Sequence, residues 1–473
     1  SRDVLEIRGT GFGDSVKVTD TTVTLGVDVD YQDIATLVIA TGEGDDTLQV
    51  DASAAAVRTP VVFDGGTGSD LLQVTDNPLS VKFHEVIYRP GPAVTEGRLV
   101  YEDVNNTAWM TIDFVNLEPV QDNVPAAVLT VHGTGANNAV SYATGPNSGV
   151  SLSLFGGDAT GLVQVDAFET IEFSRKGALV INAGGGDDVV HLNNGTTPNL
   201  LTGITVLGGD PTASDTLIVN GVAATVGVNV TAQTITGATG AGGAIPIGYA
   251  AIEHLTVVAG SSTTLSVSGT SASEGVDYTL TPGATDDRGD IETIGVPVSF
   301  VGFGPGSTLN FVGDVSDGND ELTILGTSQN DSFGVAGTSG TVTFAGRATV
   351  TQTDIDELVI DGLDGDDQFT VAGDHPYDSV AIDGNNPNAS DVLNFNSSGG
   401  NVTVDFGAGT VTEALFGPVS FSAGRESERP TEDSLGRIVG GWRCRSTSST
   451  PSPTAPSPGT PPGSASSASR SPT

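Results

Sequence analysis

Three stretches of this chain set two adjacent carboxylates at the end of a glycine-rich turn. They are Thr41-Gly42-Glu43-Gly44-Asp45-Asp46, Ala183-Gly184-Gly185-Gly186-Asp187-Asp188 and Gly362-Leu363-Asp364-Gly365-Asp366-Asp367. Each is followed by a second turn that closes on Ser-Asp, at Asp70, Asp215 and Asp391. Carboxylates and turn carbonyls are hard oxygen donors, and calcium takes about six to eight of them at roughly 2.3–2.6 Å. Glycine lets the backbone curl until successive carbonyls face one point. The candidate metal ligands are therefore Asp45, Asp46, Asp70, Asp187, Asp188, Asp215, Asp364, Asp366, Asp367 and Asp391, and the implied cofactor is calcium. A plainer role competes, because Asp also caps turns through its own side chain.

The elements that position these turns are strands. Leu37-Val38-Ile39, Leu179-Val180-Ile181 and Leu358-Val359-Ile360 run into the three paired-carboxylate turns, and period-2 apolar spacing with Gly, Asp and Asn turns holds from residue 4 to about 421. The opening Leu-x-Val-x-Gly-Thr recurs at Leu129–Thr134 and Leu265–Thr270, and Leu322–Thr327 is a further version. Asp46 to Asp70, Asp188 to Asp215 and Asp367 to Asp391 each span about one coil of a repeat protein, roughly 20–29 residues. The spacing predicts successive turns stacked at one corner. The expected fold is all-β, a right-handed parallel β-helix or β-solenoid of three degenerate units, residues 1–122, 123–260 and 261–423. Tandem β-sandwiches are the alternative, and antiparallel hairpins would mark them. Residues 233–247 read as an insertion or flat loop.

Composition narrows the function. A net charge of −41 excludes nucleic acid and anionic membrane surfaces as partners, since both need clustered Lys and Arg. Cations suit such a surface, although charge alone speaks only to solubility. One cysteine, Cys444, forbids an internal disulfide. No apolar run is long enough to span a membrane as a helix. No signal peptide precedes the first strand, so the chain reads as a mature form or a fragment. From residue 424 the alternation stops and Arg, Pro and Ser take over; residues 424–473 read as a disordered tail or an out-of-frame end. Arg437-Ile438-Val439-Gly440-Gly441-Trp442 inside it looks like a protease activation site, with no catalytic domain after it.

Gly65-Gly66-Thr67-Gly68-Ser69-Asp70-Leu71-Leu72-Gln73 fits the calcium-binding nonapeptide of RTX proteins at every position. The stretches from Thr41 and Ala183 lack only the first Gly, Leu363 replaces the second Gly in the third, and the turns ending at Asp215 and Asp391 carry two extra residues. Here the motifs stand apart, whereas RTX β-rolls carry them in tandem. With the Asp33–Ile39 and Asp354–Ile360 run-ins, the chain resembles the β-helical repeats of giant bacterial surface proteins of the planctomycete type, haemolysin-type calcium-binding proteins and adhesins. The resemblance covers about residues 4–421. It implies an extracellular or cell-surface location and a structural or adhesive role, with calcium ions and cell-surface glycans or surface proteins as partners.

Two other classes compete. A polysaccharide-acting enzyme, lyase or hydrolase, would use carboxylates in a cleft. An active site is made once, however, and this motif is iterated. His84, His132, His191, His254 and His375 share no spacing, and no nucleophile elbow, zinc set or phosphate loop is present. A carbohydrate-binding module would use exposed aromatics, and Tyr88, Tyr101 and Trp109 cluster in the irregular segment 84–120. That segment is the first place to look for a ligand, and the cluster is read as core or edge.

Overall fold

The computed structural model describes residues 3–77, 82–146, 158–210, 214–270, 275–315, 319–385, 391–422 and 443–448. Among them the regular structure is strand throughout, apart from one short 3-10 turn at Ala241–Gly243. The strands are short and alternate. Thr47–Asp51 buries Leu48 and Val50, and Glu357–Asp361 buries Leu358 and Ile360. Because successive side chains take opposite faces, most strands give one face to a single continuous core; Val27–Asp30 is exposed along its length.

The strands form two long sheets, the first 20-stranded. Most neighbours are parallel and in register. In the first sheet, Val4–Arg8, Thr36–Ala40 and Val61–Asp64 lie side by side. In the second, Ser15–Val18, Thr47–Asp51, Leu71–Thr75, Val120–Asp122 and Ile171–Phe173 do the same. Their pairing stacks Val16, Leu48, Leu72, Val120 and Ile171 into one buried column. This is the parallel, solenoid-like all-β architecture that the aligned turns predict.

Antiparallel strands are also present: Ser15–Asp30 and Val402–Ser422 fold back near the two ends of the second sheet, and between them one form recurs. A meander replaces a single rung, and successive meanders alternate between the sheets. Phe83–Pro90, Gly97–Glu102 and Ala108–Val115 form one in the first sheet. Ala139–Thr144, Gly161–Val165 and Ile171–Phe173 form the next in the second sheet. Three more follow, at Thr225–Ala250, Tyr278–Val301 and Ser332–Thr353. In each, the third strand joins the rung below in parallel and the first joins the rung above. The chain climbs, folds back to fill the gap, then continues upward.

This rule explains what the sequence pattern misplaces. Residues 233–247 are not a flat loop. They hold the central strand Thr234–Thr239 and the start of Ile245–Ala250, with Ile235, Ile245 and Ile247 buried. The unit boundaries at 122 and 260 fall inside unbroken ladders: Val120–Asp122 pairs on both sides, and His254–Val258 joins Val298–Val301. Of the aromatics of segment 84–120, Tyr88 and Tyr101 are core, fully buried against Phe114 and Phe83, and Trp109 is half-buried at the edge beneath Arg58. Of the tail read as disordered, residues 443–448 are described. They form the strand Arg443–Ser448, parallel to Val392–Ser397, on the unpaired main-chain groups that an edge strand offers. The rest of the tail, with the protease-like stretch up to Trp442, lies outside the described residues.

One ion pair crosses the core. Lys176 Nζ lies 3.2 Å from Asp122 Oδ1, and both side chains are fully buried. The ammonium also donates to the carbonyls of Val124 and Ser174, which ties Val120–Asp122 to the strand Lys176–Gly184 in the other sheet. Burial pushes the Asp122 carboxyl up and the Lys176 amine down. Removing one partner strands a buried charge at a cost of about 3–5 kcal/mol. Lys176→Met should therefore lower stability by that amount in urea denaturation at neutral pH, and adding Asp122→Leu should recover most of it.

Candidate functional site: the acid corners

Each paired-carboxylate turn divides its two aspartates. Asp46, Asp188 and Asp367 point inward with at most 1% exposure, as do Asp70 and Asp215, and Asp391 is at 2%. Asp45, Asp187, Asp364 and Asp366 stay outside. Two columns of side-chain to main-chain hydrogen bonds result, and they run in opposite senses along the solenoid.

In the inner column the main-chain N–H of one rung donates to the carboxylate of the rung above. Asp14 N donates to Asp46 Oδ1 at 2.6 Å, and Asp46 N to Asp70 Oδ1 at 2.8 Å. Asn138 N donates to Asp188 Oδ1, Asp188 N to Asp215 Oδ1 and Asp215 N to Glu253 Oε2, at 2.7–2.8 Å. Asp331 N and Asp367 N repeat the pattern onto Asp367 Oδ1 and Asp391 Oδ1. In the outer column the N–H of the upper rung donates downward: Ser69 N to Asp45, Asp187 N to Asn137, Ser214 N to Asp187 and Asp366 N to Asn330, each at 3.0 Å. Partners lie 24 or 27 residues apart where no meander intervenes (Asp46 and Asp70, Asp188 and Asp215) and 36, 38 or 50 apart where one does (Asp331 and Asp367, Asp215 and Glu253, Asn138 and Asp188).

Glycine is needed at these corners for close approach. A Cβ on Gly66, whose φ is +93°, would lie 1.9 Å from the Gly42 carbonyl oxygen one rung below. A Cβ on Gly65 would lie 2.5 Å from Asp70 Oδ2, and one on Gly362 would lie 2.3 Å from Asp367 Oδ2. The carboxylate thus folds back beneath the glycine five residues ahead of it. The same relation holds at Gly9 and Asp14 and at Gly326 and Asp331, where Thr10 N and Thr327 N cap the second oxygen.

These Gly-Thr turns are the stacking neighbours that the separate motifs lack in the linear sequence. Asp14, Asn138, Asp320, Asp331 and Glu253 belong to the site and escape motif matching. The signal that finds four of them is a glycine five or seven residues before an Asp or Asn, buried at Asn138 and Asp320 and half-buried at Asp14 and Asp331. Glu118 and Glu169 extend the acidic series above Asp70. Glu118 N donates to the Asp70 carbonyl, and burial beside Glu118 raises the Glu169 carboxyl to about 7. The six inner aspartates do not share one column. Corners at Asp46, Asp70, Asp188 and Asp215 lead from the first sheet into the second, as does Asp320, whereas those at Asp331, Asp367 and Asp391 lead back. The acidic edge changes sides.

The electrostatics are costly. The second oxygens of Asp46, Asp70, Asp188, Asp215 and Asp367 are buried without a hydrogen-bond partner. Burial, with neighbouring carboxylates, raises Asp188 and Asp367 to about 6 and shifts Asp70, Asp215 and Asp391 upward. An orphaned oxygen at each of these five corners is the kind of group a cation could take. Against that, no three acidic, His or Cys residues converge on a metal-sized point among the described residues. The turn carbonyls of Gly42, Thr67 and Thr134 already accept inter-rung N–H bonds. Asn137 and Asn330 accept in the outer column with a neutral amide, and Asn138 accepts from Thr134 N as Asp14 accepts from Thr10 N, so at these places the requirement is an acceptor oxygen and not a charge. The arrangement is a hydrogen-bond ladder that leaves single carboxylate oxygens over. No model of a known protein family matches this chain, and no curated protein matches it.

A carboxyl whose folded pKa is raised contributes stability in full below its unfolded value, and that contribution is lost as pH rises through the folded value. For Asp188 and Asp367 the window runs from about 4 to about 6. The melting temperature should therefore be higher at pH 5 than at pH 7, the reverse of ordinary acid lability. Asp188→Asn with Asp367→Asn keeps both acceptors and should flatten that dependence without lowering the neutral-pH melting point. Asp188→Ala removes an acceptor bonded to a buried N–H and should cost about 1.5–3 kcal/mol.

Proposed function

We propose that this chain is a structural or adhesive protein of the cell surface or extracellular space, a stiff β-solenoid that holds attached groups at a fixed distance. What carries the reading is where the buried polar groups go. The inner carboxylates are directed along the axis, onto the main chain of the next rung, and not toward a shared cleft. Registered rungs resist shear, because a one-residue slip would turn every buried side chain outward. The strongly acidic surface keeps such rods apart in solution.

Calcium at the corners is a second reading, and the five unpartnered carboxylate oxygens favour it. If the ions were resident, they would bind the folded chain alone, and removing them would lower stability by mass action.

Two measurements on the full chain test these readings. Small-angle scattering should give an elongated particle, since a 20-stranded sheet at ~4.8 Å per strand is roughly 90 Å long; a compact profile would count against the rod. A thermal melt in millimolar calcium and in excess chelator separates the two readings of the corners. The hydrogen-bond ladder predicts the same transition in both, and a large downward shift in chelator would establish the ion as the staple.

A further inference from the structure

The outer face of the first sheet sets three basic side chains, Arg98, Arg89 and His132, in one row. Arg98 and Arg89 are directly paired across the first meander. The next rung follows in register, with Val131 opposite Tyr88, so His132 falls beside Arg89. Arg98 is committed to Asp113, with Nε 2.5 Å and Nη2 3.1 Å from its carboxylate oxygens. Arg89 and His132 are not committed: among the described residues neither side chain makes an ion pair or a hydrogen bond. Glu85, the acid that acts on His132, accepts from Thr130 Oγ1.

These two groups border an open groove of about 510 Å³ with Pro90, Gly91, Pro92, Gly133, Thr134 and Phe168. Its size falls in the range of small-ligand sites, roughly 300–1,000 Å³. One wall is the half-buried ring of Phe168. Gly91, at φ +91°, has no side chain over that ring; a Cβ there would sit 3.5 Å from it. The groove rests on the meander and on strand Ala126–His132, both fixed by ladders on each side. It is therefore preorganised.

We infer that this groove binds a carboxylated saccharide, with the carboxylate on Arg89, a ring hydroxyl on His132 and a pyranose face against Phe168. A guanidinium matches a carboxylate in a bidentate fork. Burial and Arg89 lower the His132 pKa, so near neutral pH the imidazole is uncharged and can donate one hydrogen bond and accept another. An apolar ring beside polar groups suits a sugar better than a bare inorganic anion. The net charge repels polyanions at long range, but at 0.15 M salt that repulsion is screened beyond about 8 Å. The inference deepens the adhesive side of the function proposed above and rests on it for the groove's rigidity.

The test is isothermal titration of the full chain with trigalacturonate in 0.15 M salt, with maltotriose as the neutral control. Saturable binding of the acid and at least tenfold weaker binding of the neutral sugar are expected. Arg89→Gln should weaken binding of the acid at least tenfold, and Phe168→Ala should weaken it severalfold. Lys17→Gln, at a cation engaged with Asp51, should leave it unchanged. Arg89 is exposed, so Arg89→Gln should melt with the parent chain, which separates lost binding from lost fold. No binding of trigalacturonate, equal binding of both sugars, or binding indifferent to Arg89→Gln would overturn the assignment. None of these would touch the rod, which scattering judges independently.

Discussion

The structure depends on one contact: a side-chain oxygen at the end of a turn accepts the main-chain N–H of the turn beside it. A solenoid stacks its turns as closely as its strands, and stacked turns bury donors that the sheets cannot satisfy. Orphaned buried N–H groups are rare in native proteins because each forfeits a hydrogen bond to water. Asp46, Asp70, Asp188, Asp215, Asp367 and Asp391 solve that problem at successive corners, and Glu253 solves it with a longer side chain. The outer residues Asp45, Asn137, Asp187 and Asn330 solve it in the opposite direction. The glycines follow from the same contact, since a side chain at Gly65 or Gly66 would occupy the space of the carboxylate or of the turn below.

The solution carries a charge cost, because a carboxylate brings a second oxygen and at five corners that oxygen has no partner. Asparagine would accept the same kind of N–H without charge, as Asn137 and Asn330 do in the outer column. An aspartate ladder is more acid-stabilised than an asparagine ladder, and its charges repel along the axis. The buried pair of Asp122 and Lys176 is the contrasting case, where a cation is brought inside to meet the acid.

Much of this was legible in the sequence. The alternation of Leu48 with Val50 and of Leu358 with Ile360 gives strands, and the recurring Gly-Asp turns give stacking. The inward aspartate of each pair is less legible, since Asp45 and Asp46 differ only in the parity of their position relative to Leu48. The meanders are hidden because their strands, such as Thr234–Thr239 and Gly161–Val165, carry the same alternation as the rungs. Direction of travel leaves no mark on a period-2 pattern. The change of edge at Asp331 and Asp367 is hidden for the same reason: a Gly-Asp turn reads alike whichever sheet it leaves. Arg89 and His132 lie 43 positions apart in sequence and meet only because a meander sets its first strand beside the following rung.

The central claim concerns the amides of Asp46, Asp188 and Asp367, each of which donates to a carboxylate in the next rung. Residue-resolved hydrogen exchange on the full chain, with chelator present, tests it most directly. Those three amides, although in turns, should exchange as slowly as the core-strand amides of Leu48 and Leu358. Exchange at the rate of open loops would contradict the ladder and leave the corners without the contact on which the rungs rest.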